Sequence, residues 1–271
     1  MVRNLTIGLV RLLHICLLSA VSLSAGAELQ FHWQDEFSAE EKSALSAWIN
    51  ETQEALESLV GKPPFDVHIF FHRINGGREP VPWAHTERSG RQGVHFHVDP
   101  RFPMSDFRQD WTAPHELSHL VLPYLGSKHA WFAEGFASYM QYQVLGAMGV
   151  LTPAEVAQSY QRKLERSKQN YDYPDSPFAA AAKRLRAEGK YPVMYWGGAA
   201  YFLRVGQELG QSPGQGLIAT LKSYLSCCRQ DEDDLQALLA ELDRLAGSDA
   251  FMRNLQRFRS VAGFPVFADL F

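Results

Sequence analysis

Residues His115-Glu116-Leu117-Ser118-His119 set two imidazoles four positions apart, with a carboxylate beside the first. On a helix, positions i and i+4 project from one face, so both rings can reach a single ion. Glu116 would then lean over a water at that ion and act as its general base. Beyond a turn at Gly126, Glu134 lies within Trp131-Phe132-Ala133-Glu134-Gly135-Phe136-Ala137-Ser138-Tyr139. A second helix folding back from that turn would aim Glu134 at the same ion. Two histidines and one carboxylate leave a fourth position open, which is the catalytic pattern for Zn2+. Other divalent ions fit the same three residues. An unpaired Glu among these aromatic residues would be costly to bury, and a metal partner removes that cost. The plainer alternative is an exposed carboxylate favoured by a helix N-terminus.

These residues need elements to hold them. Ser38 followed by Glu41 reads as a capping box opening a long amphipathic helix over 38–59, ended by Gly61-Lys62-Pro63-Pro64. Phe65 to Phe71 and Gly93 to Val98 read as strands, and the Gly, Pro and Arg-rich stretch 75–93 as loop. Thr112 is a plausible N-cap for the His115 helix, with Pro114 tolerated in its first turn. Helices are predicted at about 112–122, 131–147, 153–168, 177–187, 195–209, 214–225, 232–245 and 249–259. Strands early and helices late predict an α+β chain with a small N-terminal sheet and a mostly helical C-terminal part.

The two segments together, HELSHLVL and WFAEGFASY, resemble the gluzincin metallopeptidases, and most closely the short peptidase MA-like proteins. They are also similar to the catalytic domain of the aminopeptidase N and leukotriene hydrolase family. In that family a Trp-x-x-Glu-Gly-x-Ala-x-Tyr segment carries the third zinc ligand, which falls here on Trp131, Glu134, Gly135, Ala137 and Tyr139. The match covers about residues 111–145. The resemblance implies a thermolysin-like zincin domain over 28–271, comprising 28–125 with the sheet and active-site helix and 126–271 as the helical part. It also implies a transition-state-stabilising tyrosine in a Tyr-x-Lys-Gly segment, for which Met194-Tyr195-Trp196-Gly197-Gly198 is the counterpart. Tyr195 takes the Tyr position, Gly198 the Gly position, and Gly197 replaces the Lys. A phenol there would steady a developing oxyanion; the alternative is a core aromatic. The family's aminopeptidases carry Gly-x-Met-Glu-Asn to grip the substrate amine. Here the region Gly93 to Asp110 holds Asp99, Asp106 and Asp110 without that motif, which favours an endopeptidase or a specialised hydrolase.

The chain has 271 residues, 46% hydrophobic and 21% charged, with a formal net charge of −4. That is enough apolar material for a real core, and it leaves no basic footprint for nucleic acid. Arg3 and Arg11, an apolar run from Leu12 to Leu23 and Ala25-Gly26-Ala27 have the layout of a secretory signal peptide over 1–27, so an exported, periplasmic or secreted protein with no stable membrane span is expected. Cys227 and Cys228 read as two buried or free thiols, although an oxidising compartment permits a vicinal disulfide or an intermolecular bridge. Asp231 to Asp234 reads as an acidic helix start. His95 and His97 share one strand face. They are read as solvent-facing or packed, or alternatively as a second metal pair or as substrate-contacting side chains on an edge strand that pairs with extended substrate. His129 lies near the site without being read as a ligand.

The expected function is therefore a zinc metallopeptidase acting on a peptide or protein substrate, with His115, His119 and Glu134 as ligands, Glu116 as base and Tyr195 as oxyanion donor. The alternatives are a non-catalytic secreted metal-binding or scaffold protein and a zinc hydrolase of non-peptide bonds. Oligomeric state is not legible.

Overall fold

A computed structural model describes residues 27–88, 90–210, 216–229 and 234–271. The leader expected over 1–27 lies outside them save for Ala27, as does the acidic run 231–233. The order is β1 (Leu29–Trp33), α1 (Ala39–Val60), β2 (Val67–Arg73), β3 (Trp83–Glu87), β4 (Gly93–Val98), α2 (Met104–Gln109) and α3 (Thr112–Ser118). A 3-10 turn at Ser127–His129 leads into α4 (Ala130–Ala147), α5 (Pro153–Gln169), α6 (Phe178–Ala187), α7 (Tyr191–Leu209), α8 (Leu217–Cys227), α9 (Leu235–Ala246) and α10 (Ala250–Ser260). This is the expected α+β arrangement. Among the described residues no helix is long and apolar enough to cross a membrane.

The sheet runs β1-β2-β4-β3, with the first three strands parallel and β3 antiparallel at the edge. Its inner face (Ile69, Phe71, Val94 and Phe96) is buried against the helices. α1 opens on the predicted capping box: Ser38 Oγ accepts from the Glu41 N–H at 3.2 Å, and Glu41 accepts from the Ser38 N–H at 2.7 Å. α1 then packs on α3, α4 and α8 and so joins the sheet to the helical part.

Two strands depart from expectation. β3 lies inside the stretch read as loop, because five residues between Pro82 and a glycine-containing turn gain their conformation from pairing with β4. β4 is consequently an interior strand, so the edge role considered for Gly93–Val98 passes to β3. Between β2 and β3 the chain is tied down by Asp99, whose buried carboxylate accepts from the N–H groups of Gly76 and Gly77 at 3.0 and 2.9 Å. β1 was not anticipated either.

The outer sheet face carries a row of rings across all four strands: His32, Phe70, His95 and His85 stand in register. Centroid separations are 4.5, 4.2 and 4.6 Å along that row. His68, His72, His97 and Trp83 flank it, with Trp83 stacked between His85 at 4.7 Å and His97 at 4.5 Å. This accounts for His95 and His97 as packed strand residues.

Cys227 and Cys228 are joined in a disulfide, which corrects their reading as separate thiols.

Candidate metal centre

α3 is shorter than expected. It ends at Ser118, and His119 is its C-cap, still in right-handed helical conformation, so the two imidazoles keep their common face. Val121 and Leu122 are buried beyond the helix rather than in it. The N-cap is Trp111, not Thr112; the Thr112 N–H instead donates to Asp110 Oδ1 at 2.7 Å. After the turn at Gly126, whose φ of +71° suits a residue without a β-carbon, α4 runs back past α3.

Glu134 thereby reaches both rings. Its Oε2 lies 3.2 Å from His115 Nε2 and 3.5 Å from His119 Nε2. Among the described residues, these three form the one group of His, Cys, Asp or Glu side chains able to hold an ion. Two tetrahedral ligand atoms about 2.05 Å from zinc stand roughly 3.3 Å apart. Both separations match that edge, and all three ligand atoms lie within 4.8 Å of one another, so the residues fit the ion. His115 Nδ1 donates to the Gln141 side-chain oxygen at 3.1 Å, which leaves the lone pair of Nε2, the nitrogen facing Glu134, for an ion.

Burial lowers the His115 imidazole, but the Glu134 carboxylate outweighs it and raises the group above the ordinary value. Burial pushes the Glu134 carboxyl up, but the two imidazoles outweigh it and hold the group well below the usual carboxylate range. Burial carries His119 below the ordinary imidazole value. Glu116 is held by Thr86, whose hydroxyl donates to Oε2 at 2.7 Å and to the Glu116 carbonyl at 3.1 Å. Thr86 belongs to the inner face of β3, so the edge strand positions the candidate base.

Tyr195 enters from α7, with its ring 5.8 Å from that of His115. Burial, with the charges of Glu134 and Glu116, drives its phenol far above the usual range, so it remains a proton donor. It sits one turn into the helix rather than at its start, because Pro192 belongs to the first turn and α7 begins at Tyr191. Gly198, one turn further, allows α7 to lie against α4: a β-carbon there would meet the Trp131 carbonyl oxygen at 2.1 Å and Gly135 Cα at 2.9 Å. A β-carbon on Gly197 would meet the Phe178 ring at 2.2 Å, which is a physical reason for the missing lysine.

His119, Glu134 and Tyr195 border a cavity of about 800 Å³ lined also by Glu116, Thr86, Arg88, Tyr124 and Arg186, with His115 buried behind it. His95 reaches its rim from the sheet, while His97 and His129 do not line it. Sequence reasoning missed Thr86, Arg88 and Gln141. Gln141 had a signal: it follows Glu134 by two helical turns on the same face. Thr86 and Arg88 had none before β3 was recognised.

No protein-family model matches this chain, and no curated protein matches it. Solved structures do. A mutant M1 zinc metallopeptidase from Deinococcus radiodurans, bound to a Tyr-Ser-Ala substrate, aligns at TM-score 0.51 with 16% identity, over 86% of this chain and 48% of that one. A two-domain M1 zinc metallopeptidase mutant bound to L-arginine aligns at TM-score 0.53, again with 16% identity, over 90% and 50%. The chain thus shares the fold of M1 zinc metallopeptidases and spans about half the length of these structures.

Proposed function

We propose that this chain is a zinc-dependent peptidase of the gluzincin type, with residues 28–271 acting as one thermolysin-like domain. The observation that carries the reading is the spacing of Glu134 Oε2 from the His115 and His119 nitrogens, which matches a tetrahedral edge. Zinc held there would supply Lewis acidity toward a water and a substrate carbonyl.

The chain's own groups would do the rest. Glu116, oriented by Thr86, takes the proton of the attacking water and delivers it to the leaving amine. Tyr195 stays protonated and donates to the oxygen on which negative charge develops. Gln141 keeps His115 in the tautomer that presents Nε2. An extended peptide would lie beside β3, the strand bordering the cavity. The absence of a Gly-x-Met-Glu-Asn segment favours an endopeptidase or specialised hydrolase over an aminopeptidase. Export with a leader over 1–27 belongs to the same reading, and the Cys227–Cys228 disulfide supports an oxidising compartment.

The test is metal content and turnover of a peptide library by wild type, Glu134→Ala and Glu116→Gln. About one zinc per chain is expected in wild type and in Glu116→Gln, with hydrolysis only in wild type, and little zinc in Glu134→Ala. A zinc-free wild type, or full activity in Glu116→Gln, would overturn the proposal.

A further inference from the structure

The cavity also contains a cation that no ion pair or hydrogen bond among the described residues engages. Arg88 follows β3 directly and stands two positions after Thr86, so it continues the strand's inward face to the cavity wall. Its guanidinium lies over the Tyr124 ring, 5.7 Å from the ring centre. Burial, opposed by the charges of Glu116 and Glu134, pulls its pKa down to about 10.

Both of those carboxylates are committed elsewhere. Glu134 Oε2 faces the two imidazoles, and Glu116 Oε2 accepts from Thr86. Among the described residues Arg88 forms neither an ion pair nor a hydrogen bond. Arg88 is half-buried, so its planar guanidinium gives up part of its hydration without a protein partner, and an anion that meets it on two oxygens offsets that cost. Arg186, near the end of α6, lines the same cavity and adds to its positive side.

We propose that Arg88 is a specificity residue that seats a carboxylate of the bound substrate beside the metal centre. The carboxylate belongs either to the peptide C-terminus or to an acidic side chain near the scissile bond. This inference rests on the peptidase reading for its ligand. It gives Arg88 a binding role and no part in proton transfer.

The experiment is calorimetric titration of the zinc-loaded Glu116→Gln protein, with and without Arg88→Gln or Arg88→Lys. The probes are N-acetylated tetra-alanine as free acid and as amide, and the amide with Glu or Gln at its third position. Glutarate is titrated separately into wild type and into the single variant Arg88→Gln, each as purified. One carboxylate-bearing peptide should bind roughly ten- to a hundredfold more tightly than its neutral partner. Arg88→Gln should erase that difference without changing the neutral peptide's Kd, and Arg88→Lys should retain part of it. The pair that shows the difference identifies the carboxylate as terminal or side-chain. Equal binding of charged and neutral peptides, or a preference that survives Arg88→Gln, overturns the proposal. So does a uniform weakening of every peptide by Arg88→Gln. If no peptide binds but glutarate binds only when Arg88 is present, the peptidase reading fails and the anion seat stands. If glutarate also fails to bind, the seat falls too.

Discussion

Replacing Gly198 by Ala adds one methyl group where α7 lies against α4. Its β-carbon would sit 2.1 Å from the Trp131 carbonyl oxygen, whereas ordinary contact begins near 3.4 Å. Both obstructing groups are backbone, so no side-chain rotation relieves the clash, and the helices must part by about 1 Å. Overpacking of this kind costs roughly 1–3 kcal/mol, or about 2–12 °C in Tm for a chain of this size. Tyr195 lies one turn earlier on α7 and moves with it, away from Glu134 and His115. A displacement near 1 Å at a reacting centre costs on the order of a hundredfold in rate. The assay is kcat and Tm of Gly198→Ala on a fluorogenic peptide cleaved by wild type, with zinc content measured alongside. Zinc should be retained, since its ligands lie on α3, the α3 C-cap and α4 and none lies on α7. The control is Gly206→Ala, also on α7, where an added β-carbon meets nothing nearer than 3.8 Å. If the two variants share the wild-type Tm and kcat, the argument from helix spacing is wrong.

Other predictions concern single groups. Tyr195→Phe should lower kcat by about 10²- to 10³-fold while leaving KM and zinc content near wild type; an unchanged kcat removes Tyr195 from the mechanism. Gln141→Leu should weaken zinc binding roughly ten- to a hundredfold in chelator competition, because His115 loses the partner that selects its tautomer. Burial, chiefly, lowers the pKa of His32, His72, His85 and His97 on the outer sheet face. Their neutral forms are favoured by folding, so this contribution is complete above the unfolded value of about 6.5 and is lost as pH falls below it. Tm should therefore fall between pH 7.5 and 5.5, and fall less in His72→Gln/His97→Gln; a Tm that rises on acidification would contradict the assignment.

Much of the fold and the candidate site was legible where local chemistry decides. The Ser38–Glu41 box marks the start of α1, alternation marks β4 to the residue, and two spacings name His115, His119 and Glu134. What escaped depends on distant partners. β3 has only five residues, flanked by Pro82 and the turn at Gly90, and its strand character comes from its pairing with β4. Thr86 and Arg88 went unnoticed with it. α7 was expected too late because Pro192 reads as a break, although a first turn accepts it. Adjacent cysteines give no sign in sequence of whether they pair.

The position of β3 carries a liability as well. A sheet edge that admits an extended peptide exposes the same backbone groups to a second copy of the chain, and unprotected edges promote aggregation. Covering this edge would close the route to the cavity. The strand instead stays short, with Pro82 before it and Glu87 and Arg88 at its far end. A neighbouring copy would find few residues to pair with. Lengthening β3 would remove this protection and favour self-association along it.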